Sequence, residues 1–319
     1  MRGFKFIVAA AAVLLCVSSG ARPAGLRILY WNIQQGMWSD QGNNYDNFVE
    51  FVKSQSPDIC VWAEGKTHYK TDTADPYKMD DDLYLPAHWD ELAARYGHKY
   101  VYVGGERDFY PQVITSKYPI RNVKRIVGDD NVLVCHGCGW ATVRVHGYKI
   151  NFVTVHTWPQ KYGFNVPVEK RQESISRHEG DYFRRTEMEY ICNETILGHP
   201  GASGEYWMML GDFNSRSRVD NYHYNYADDD TRFLVHDFIR EKTPYLDLVA
   251  LKYPYDFQST IIGGSRIDFV YMTQPLFSMV KSVSVLREGY PRNYKDPRGL
   301  SNFCHPSDHL PILMELVLR

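Results

Sequence analysis

The sequence predicts a layered α/β domain, because strand-like and helix-like segments alternate along the chain. An apolar run at residues 26–33 is followed by an amphipathic segment at 45–54 and a second apolar run at 59–62. A strand, a helix and a strand within about forty residues predict a βαβ start. Later strand-like runs end in polar residues, which is typical of an α/β domain with a functional crevice at one end of its sheets.

The same patterns predict the remaining elements. A short helix is expected at 88–96, and helical spacing across the polar segment 169–197 predicts a crossover helix. His146 and Gly147 separate two strand-like runs and predict a hairpin. The other strands are expected at 100–103, 112–116, 123–127, 141–145, 149–155, 207–210, 267–272, 279–286 and 310–318. No repeat or linker divides residues 26–319, so we expect one domain there.

The N-terminal residues predict a secretory signal peptide at 1–21. Arg2 and Lys5 are basic, the run through Val17 is apolar, and small residues follow it. The run is shorter than the roughly 20 apolar residues that a membrane-spanning helix needs, and no comparable run follows. We therefore expect an exported protein, periplasmic or extracellular, with no transmembrane segment in the mature chain.

The charge balance disfavours a general nucleic-acid binder. The formal net charge is -2, and loss of Arg2 and Lys5 with the signal peptide lowers it by two, to -4. Non-specific nucleic-acid binding depends on Lys and Arg contacts to phosphates. A local basic groove would not be visible in a whole-chain count.

Of the six cysteines, Cys16 lies in the predicted signal peptide. Lipid anchoring there is disfavoured, since Leu15 is bulkier than the residue that usually precedes a lipidated cysteine. The odd number that remains implies at least one free thiol or an intermolecular bond. Cys135 and Cys138 have the spacing of half a zinc site, but no further ligands with comparable spacing are evident nearby. We expect a local disulfide or two thiols at a turn. The other cysteines are Cys60, Cys192 and Cys304.

Six predicted strand ends carry polar residues that a buried strand does not require. In a layered α/β fold, polar residues at one end of successive strands converge on a common crevice. The segments are W-N-I-Q at 31–34, A-E at 63–64, V-H-T at 155–157, G-D-F-N at 211–214, R-I-D-F at 266–269 and S-D-H-L-P at 307–311.

The G-D-F-N segment follows a buried apolar run. Alternate strand residues point to one side, so Asp212 and Asn214 are expected to reach one pocket while Phe213 packs the other way. A carboxylate and a carboxamide in that arrangement suit a water molecule and a phosphate. The alternative is a loop in which both side chains bond to their own backbone.

The other acidic residues suit metal-assisted attack of water on a phosphorus ester. Mg²⁺ prefers oxygen ligands and is commonly held by one or two carboxylates plus substrate phosphate, and Glu64 fits that role. Asp268 and the Asp308-His309 pair suit an arrangement in which a carboxylate orients the imidazole and the imidazole handles a proton. The structural alternatives are a surface glutamate, capping aspartates and a packed histidine.

Two amides and a second histidine complete the set. Asn32 and Asn214 are side-chain donors to phosphoryl oxygens, and His156 suits stabilisation of developing charge or protonation of the leaving oxygen. A lone strand histidine is usually structural, so His156 is a candidate only because of its place in the series.

In this order, the six segments resemble the endonuclease/exonuclease/phosphatase superfamily. That family includes pancreatic deoxyribonuclease, exonuclease III-like repair enzymes, inositol-polyphosphate 5-phosphatases and neutral sphingomyelinases. The resemblance extends over residues 26–319, and G-D-F-N and S-D-H-x-P are its specific motifs. It implies a four-layer α/β sandwich with two central mixed β-sheets flanked by helices, and Mg²⁺- or Mn²⁺-dependent cleavage of phosphoesters.

The resemblance also implies roles for single residues. Glu64 would be the principal metal ligand, assisted by Asp308, with Asn32 beside the metal and the phosphate. Asp212 would orient or deprotonate the attacking water, and Asn214 would contact the phosphate.

The two histidines also have counterparts in the family. His309 would pair with Asp268 as the acid/base or phosphate-stabilising unit. His156 would match the histidine of the deoxyribonuclease and phosphatase branches, whereas the repair-enzyme branch usually has another residue there.

Some segments depart from the family. Residues 110–119 resemble a family strand that ends in L-S-R-x-P, with Lys117 in place of the usual arginine and Gln112 where a small residue is common. Two aromatic, polar elaborations at 66–98 and 215–232 match no branch. They are consistent with stacking on a sugar or flat ring, and equally with a tyrosine-rich surface.

We expect a monomeric metal-dependent phosphoesterase acting on a phosphodiester or phosphomonoester of small-molecule, glycan or lipid-head-group type. A secreted deoxyribonuclease-like endonuclease is the alternative, because it would use the same catalytic set on nucleic acid. A non-catalytic binding protein on the same fold is disfavoured by the presence of every expected acid, amide and histidine.

Overall fold

The computed structural model of the chain describes residues 24–66, 88–105, 110–290 and 307–318. The predicted signal peptide and Cys304 lie outside these residues, as do residues 67–87 of the first predicted elaboration. Within the described ranges, no helix combines the length and the apolar character needed to cross a bilayer.

The strands, in chain order, are β1 (Ala24–Asn32), β2 (Ile59–Ala63), β3 (Tyr100–Gly104), β4 (Gln112–Ser116), β5 (Ile120–Gly128), β6 (Leu133–Val145), β7 (Tyr148–His156), β8 (Tyr206–Asp212), β9 (Leu246–Asp247), β10 (Asp268–Met272), β11 (Val280–Val285) and β12 (Ile312–Leu318). In the described part of the chain they form two six-stranded sheets. The first sheet has the order β11-β12-β1-β2-β4-β3, and the second has the order β5-β6-β7-β8-β10-β9.

The α-helices, in chain order, are α1 (Gln34–Met37), α2 (Asp46–Gln55), α3 (Trp89–Arg95), α4 (Arg171–Ser176), α5 (Glu179–Glu194), α6 (Asn221–Tyr224), α7 (Leu234–Lys242), α8 (Leu248–Lys252) and α9 (Gln274–Phe277). Short 3₁₀ segments lie at Trp38–Asn43, Val168–Lys170, Ala202–Gly204, Arg218–Asp220 and Thr231–Phe233. The prediction of a single crossover helix at 169–197 is wrong, because this segment forms two helices, α4 and α5. They are separate because His178 between them has a left-handed backbone with φ 55°.

The local predictions near the start of the chain and at the hairpin are confirmed. β1 and β2 pair in parallel around α2, with Ile28 opposite Ile59, which is the predicted βαβ unit. His146 and Gly147 have φ values of 48° and 88° and form the turn between the antiparallel strands β6 and β7. Two left-handed residues in succession suit the twist of a tight hairpin.

Three apolar clusters separate four layers. The central cluster lies between the two sheets and includes Tyr30 of β1 and Leu210 of β8. A second cluster packs α5 and α7 on the outer face of the second sheet, and a third packs α2 and α3 on the outer face of the first. The order helix, sheet, sheet, helix confirms the predicted four-layer α/β sandwich with two central mixed sheets.

The described cysteines are buried thiols. Cys135 and Cys138 both lie within β6, so the prediction of a turn between them is wrong. Burial raises the pKa of Cys138 and also that of Cys192 in α5. Because the thiolate is the reactive form, these cysteines serve as small apolar packing groups.

Glu187 ties α5 to the second sheet. Its Oε1 accepts a hydrogen bond from the backbone N–H of Cys135 at 2.5 Å, and its Oε2 accepts one from Trp158 N–H at 3.0 Å. The side chain is fully buried, and burial raises the pKa of the carboxyl to about 7. One helix residue thus holds β6 and the loop that follows β7.

We expect Glu187 to make folding stability fall as the pH rises from about 4.5 to about 7. Its pKa is 4.5 without the fold and about 7 within it. Between these values the folded protein holds a proton that the unfolded chain has released, so stabilisation that is complete below pH 4.5 is lost through pH 7. The difference corresponds to about 3 kcal/mol. Urea unfolding between pH 4 and 8 measures it, and Glu187→Gln should flatten the profile. An unchanged profile in that variant would contradict the assignment.

Gly211 lies at the close approach of β7 and β8, where a Cβ would be 1.8 Å from the carbonyl oxygen of Val155. We expect Gly211→Ala to lower the free energy of unfolding by about 2–3 kcal/mol, because the two strands must separate. Urea unfolding at fixed pH measures this. Gly204→Ala, where a Cβ meets no atom within 4 Å, is the control. Equal stability of the two variants would contradict the prediction.

Candidate active site

The candidate site lies at one end of the layer between the sheets. Side chains alternate along a strand, and Ile28 and Tyr30 of β1 face this layer, so Asn32 faces it too. The same alternation along the second sheet brings three further polar residues to this end of the layer: His156, Asp212 and Asp268.

Strand register places these three residues in one row. His156 is opposite Asp212 in the parallel pair β7 and β8, and Asp268 is opposite Asp212 in the antiparallel pair β8 and β10. Asp212 is therefore the middle of the row, with one neighbour on each side. All three side chains are buried.

Glu64 reaches the same crevice because its backbone is left-handed. Ala63 faces the layer between the sheets, so strand alternation would point residue 64 away from it. A φ of 55° at Glu64 reverses this direction. Its Oε2 then accepts a hydrogen bond from the Gln35 backbone N–H at 2.8 Å, and its Oε1 lies 3.3 Å from Asn32 Nδ2.

Asn32 is the hub of the site. Its Nδ2 donates to Asp212 Oδ2 at 3.2 Å and to Glu64 Oε1 at 3.3 Å, and it lies 3.5 Å from His309 Nε2. Its Oδ1 accepts the backbone N–H of Gln34 at 3.0 Å, which fixes the orientation of the amide. One amide nitrogen thus holds two carboxylates at fixed positions.

A hydrogen-bond chain orients His309. The hydroxyl of Tyr30 donates to Asp268 Oδ1 at 2.6 Å, and His309 Nδ1 donates to Asp268 Oδ2 at 2.8 Å. The Nε2 of His309 then faces the crevice, 3.7 Å from Asp212 Oδ2. Burial opposes the charged imidazole, but the carboxylates of Asp268 and Asp212 outweigh it, and the pKa of His309 is raised well above its usual value.

Ser307 holds the segment that carries His309. Its hydroxyl donates to the backbone carbonyl of Asn32 at 2.7 Å and accepts the backbone N–H of His309 at 3.1 Å. Trp31 Nε1 donates to the carbonyl of His309 at 2.8 Å. The segment before β12 is thereby pinned to the end of β1.

Asp212 has the properties of a proton acceptor. Its Oδ1 is fixed by the backbone N–H of Asn214 at 2.9 Å, which leaves Oδ2 directed at the crevice. Burial, reinforced by Asp268 and Glu64 and opposed by His309, raises its pKa to about 7. The Nδ2 of Asn214 donates to the carbonyl of Thr157 at 3.0 Å, so this amide joins the loops that follow β7 and β8.

His156 lies on the opposite side of the acids from His309. Its Nε2 is 3.8 Å from Asp212 Oδ2 and 4.0 Å from Glu64 Oε1. Burial and the neighbouring His136 lower its pKa well below the usual value, so this imidazole is neutral at pH 7. The His136 ring packs on it with centroids 4.4 Å apart.

Asp308 is at the rim of the site. Its side chain is 51% exposed, and its Oδ1 lies 3.9 Å from His309 Nε2. The structure therefore brings together Asn32, Glu64, His156, Asp212, Asp268 and His309, with Asn214 and Asp308 at the edge.

The donor set fits a hard divalent cation. Glu64 Oε1 and Asp212 Oδ2 converge on one amide nitrogen, and carboxylate oxygens are the ligands that Mg²⁺ and Mn²⁺ prefer. Ligand atoms of Asp212, Asp268 and His309 also lie within 4.8 Å of one another. Asp268 is the weakest candidate of these, since its two oxygens already accept hydrogen bonds from Tyr30 and His309. Glu64 and Asp212 keep unused lone pairs.

The fold and this crevice define a class of proteins. A family model described as the endonuclease/exonuclease/phosphatase family matches residues 29–309, and the chain belongs to that family. Its members are typically metal-dependent phosphoesterases or nucleases. The comparison with curated protein sequences found no match.

Solved structures share the fold at low sequence identity. An AP endonuclease from Archaeoglobus fulgidus has a TM-score of 0.56 at 16% identity, covering 91% of this chain and 98% of that one. The human Nocturnin catalytic domain with bound sulfate gives 0.55 at 12%, covering 92% and 96%. The 3′ phosphatase NExo from Neisseria, bound to product DNA hairpin, gives 0.57 at 17%, covering 91% and 99%.

The sequence reasoning missed Tyr30 and Ser307. Tyr30 is two residues before Asn32, so strand alternation already placed its side chain on the same face, and its apolar neighbours concealed a polar function. Ser307 was part of a recognised motif, but its bond to the Asn32 carbonyl joins distant segments and leaves no local signal.

The two departures in residues 110–119 differ in position. Lys117 pairs with Asp58 at 3.0 Å, before the start of β2, whereas Glu64 follows the end of that strand. Lys117 is therefore remote from the site. Gln112 is buried beside His136, and its Nε2 donates to the His136 carbonyl at 3.4 Å.

The rings of the second aromatic elaboration largely pack on one another. Tyr224 stacks on Tyr226 with centroids 5.2 Å apart, and His223 stacks on Phe257 at 3.7 Å. Stacking covers one face of each of these rings and disfavours sugar stacking on that face, although His223 is otherwise exposed. Tyr222 is 49% exposed.

A buried arginine anchors this elaboration. Arg266 Nε donates to Asp220 at 2.8 Å, and its two terminal nitrogens donate to Asp247 at 2.9 and 2.8 Å. The backbone N–H of Arg266 donates to the Tyr224 hydroxyl at 2.9 Å. Asp268 is two residues further along the chain, so the elaboration is tied directly to the strand that carries the site.

We expect Tyr30→Phe to lower kcat by about tenfold, in the range found for partners that orient active groups. Loss of the hydroxyl leaves Asp268 Oδ1 without its donor and loosens the orientation of His309. The free energy of unfolding should fall by about 1–2 kcal/mol. Steady-state kinetics and urea unfolding measure both effects. Tyr96→Phe is the matched control, since this buried hydroxyl contacts Thr115 and Trp62. Equal loss of kcat in the two variants would contradict the role of Tyr30.

Proposed function

We propose that the protein is a divalent-metal-dependent phosphoesterase that hydrolyses a phosphodiester or phosphomonoester by attack of an activated water. The observation that carries the proposal is the convergence of two carboxylates and a charged imidazole on Asn32. Acid, amide and imidazole at these separations supply a proton acceptor, a cation ligand and a donor to phosphoryl oxygens.

Asp212 accepts the proton of the attacking water. Its pKa of about 7 balances the fraction ionised at neutral pH against its strength as a base. Oδ1 is held by Asn214 N–H, so Oδ2 is the oxygen that takes the proton. A rigid carboxylate loses little orientation freedom when the water binds.

His309 donates from Nε2 to a phosphoryl oxygen. Asp268 holds Nδ1 and favours the charged imidazole, which stabilises negative charge as it develops. Asn32 orients the same phosphoryl group. Glu64, with Asp308 at the rim, would hold a divalent cation, which would supply Lewis-acid polarisation when bound.

His156 and Asn214 complete the proposal. A neutral His156 stabilises the leaving-group side by donating a hydrogen bond, since its lowered pKa keeps it uncharged. The side-chain amide of Asn214 has two N–H donors. One is bonded to the Thr157 carbonyl, and the other contacts the phosphate.

Export to the periplasm or the extracellular space, as a monomer, is part of the proposal. It is supported by the basic and apolar pattern of residues 1–21. Cell fractionation followed by N-terminal sequencing tests the export, and recovery of the protein only from the cytoplasm with Met1 intact would overturn it.

DNA cleavage is the second candidate, because the Neisseria 3′ phosphatase in the comparison is bound to product DNA hairpin. The net charge of -2 favours small phosphoesters over a long polyanion. A metal-supplemented screen of plasmid DNA, RNA, sphingomyelin, inositol phosphates and phosphorylated sugars separates the two. Strongly salt-sensitive cleavage of DNA alone would favour the second candidate.

We expect a chelator to abolish hydrolysis of bis(4-nitrophenyl) phosphate or 4-nitrophenyl phosphate, and Mg²⁺ or Mn²⁺ to restore it. Glu64→Gln and His309→Ala should each lower kcat/KM by about a hundredfold or more. Arg144→Gln, an exposed site at the far end of β6, should retain full activity. Activity that persists in the chelator, or in both site variants, would refute the proposed function.

A further inference from the structure

Arg216 lies two residues after Asn214, in the loop that leaves the site end of β8. Its backbone N–H donates to the carbonyl of Arg232 at 3.1 Å, which fixes the loop. The side chain is half-buried, and its guanidinium carbon is 5.9 Å from the centre of the Tyr224 ring. The ordered loop therefore places a cation two residues along the chain from Asn214, the residue for which we propose a phosphate contact.

The other arginines of this region have carboxylate partners. Their ion pairs are Arg184 with Asp181, Arg218 with Asp237, Arg232 with Asp230, and Arg266 with Asp220 and Asp247. Within the described ranges, Arg216 forms no ion pair and no side-chain hydrogen bond. Its charge is the one in this group that the protein leaves uncompensated.

The guanidinium also has a donor that water cannot reach. The Nε of Arg216 is buried and has no hydrogen-bond partner in the described part of the chain. Arg27 and Arg184 have such an Nε too, but each is bound to a carboxylate through a terminal nitrogen. Among the arginines that the structure describes, Arg216 alone combines a buried, unsatisfied donor with a charge that forms no ion pair.

Arg184, which pairs with Asp181, is a second arginine close to Arg216. Arg184 donates to the carbonyls of Trp158 and Gln160 at 2.8 and 2.9 Å, in the loop that follows His156. Burial lowers the pKa of Arg184, and the positive charge of Arg216 adds to that effect. Arg216, in the loop that leaves β8, is thus close enough to Arg184 for the two charges to interact, and no acid of the described residues forms an ion pair with it.

We propose that Arg216 binds a second anionic group of the substrate, a phosphate, sulfate or carboxylate next to the group that is hydrolysed. This inference rests on the proposed function, since it places the two groups in one molecule. The planar guanidinium offers two parallel N–H donors, which match two oxygens of such an anion.

The substrate class follows from this charge. A small molecule with two anionic groups satisfies both Arg216 and the catalytic crevice. A cationic head group such as choline would meet the Arg216 charge at the same place and be disfavoured. A nucleic-acid strand needs several phosphate contacts for its affinity, whereas Arg216 is the one arginine without an ion pair among the described arginines of this region.

Inorganic sulfate tests the site without any requirement for activity. The buried Nε–H of Arg216 gives a ¹⁵N–¹H resonance that Arg216→Gln removes. At constant ionic strength, sulfate should shift this resonance with saturation in wild type, in Arg144→Gln and in Glu64→Gln. A shift that is absent or does not saturate would overturn the proposal. If sulfate binds at Arg216 but the protein hydrolyses no phosphoester, the proposed function is refuted while the anion site is retained.

Competition kinetics test the substrate class. Glucose 1,6-bisphosphate should inhibit chromogenic diester hydrolysis more strongly than glucose 1-phosphate. Arg216→Gln should weaken inhibition by the bisphosphate by about tenfold to a hundredfold, which corresponds to the loss of one charge-assisted hydrogen bond. Arg144→Gln should leave this inhibition unchanged. An equal effect of Arg216→Gln on both sugars would overturn the proposal. Loss of plasmid cleavage without this change would identify a nucleic-acid phosphate as the anion and overturn the small-molecule assignment.

Discussion

The site depends on two hydrogen bonds that cross from one sheet to the other. Tyr30 of the first sheet donates to Asp268 of the second, and Asn32 donates to Asp212. Both contacts lie at the end of an apolar layer that already fixes the distance between the sheets. Close packing in that layer keeps the polar ends aligned, because interiors of this density deform little. The core therefore fixes the positions of the strand-borne residues Asn32, Asp212 and Asp268.

The crevice concentrates negative charge that the chain only partly neutralises. Glu64, Asp212 and Asp268 are balanced within the crevice by the imidazole of His309, and burial raises the pKa of both Glu64 and Asp212. Buried carboxylates are unfavourable unless they are paired. The left-handed backbone at Glu64 adds local strain of a kind that is common at functional sites. A divalent cation held by these carboxylates would relieve part of this cost.

Most of the fold and of the candidate site could be predicted from strand periodicity. Side chains alternate between the two faces of a strand up to its last residue, so the pattern predicts which way the terminal side chains point. This periodicity was sufficient to place the side chains of four residues in the layer between the sheets: Asn32, His156, Asp212 and Asp268. It fails where the backbone leaves the regular pattern, as at the left-handed residues Glu64 and His178. Residues that come together only when the two sheets pack, such as Tyr30 and Asp268, are far apart in the sequence. No local sequence pattern therefore predicts their contact. The packing of aromatic rings on one another was equally invisible, since composition does not distinguish covered ring faces from open ones.

Arg266 anchors the base of the second elaboration, residues 215–232, and leaves its tip outside that anchor. The fork of Arg266 between Asp220 and Asp247 fixes the base of the elaboration next to β10, independently of the residues at its tip. Substitutions near the tip that retain the Tyr224 hydroxyl, which accepts the Arg266 backbone N–H, leave this base and the neighbouring Asp268 in place. The tip of the elaboration can therefore vary in sequence while the row formed by His156, Asp212 and Asp268 keeps its register.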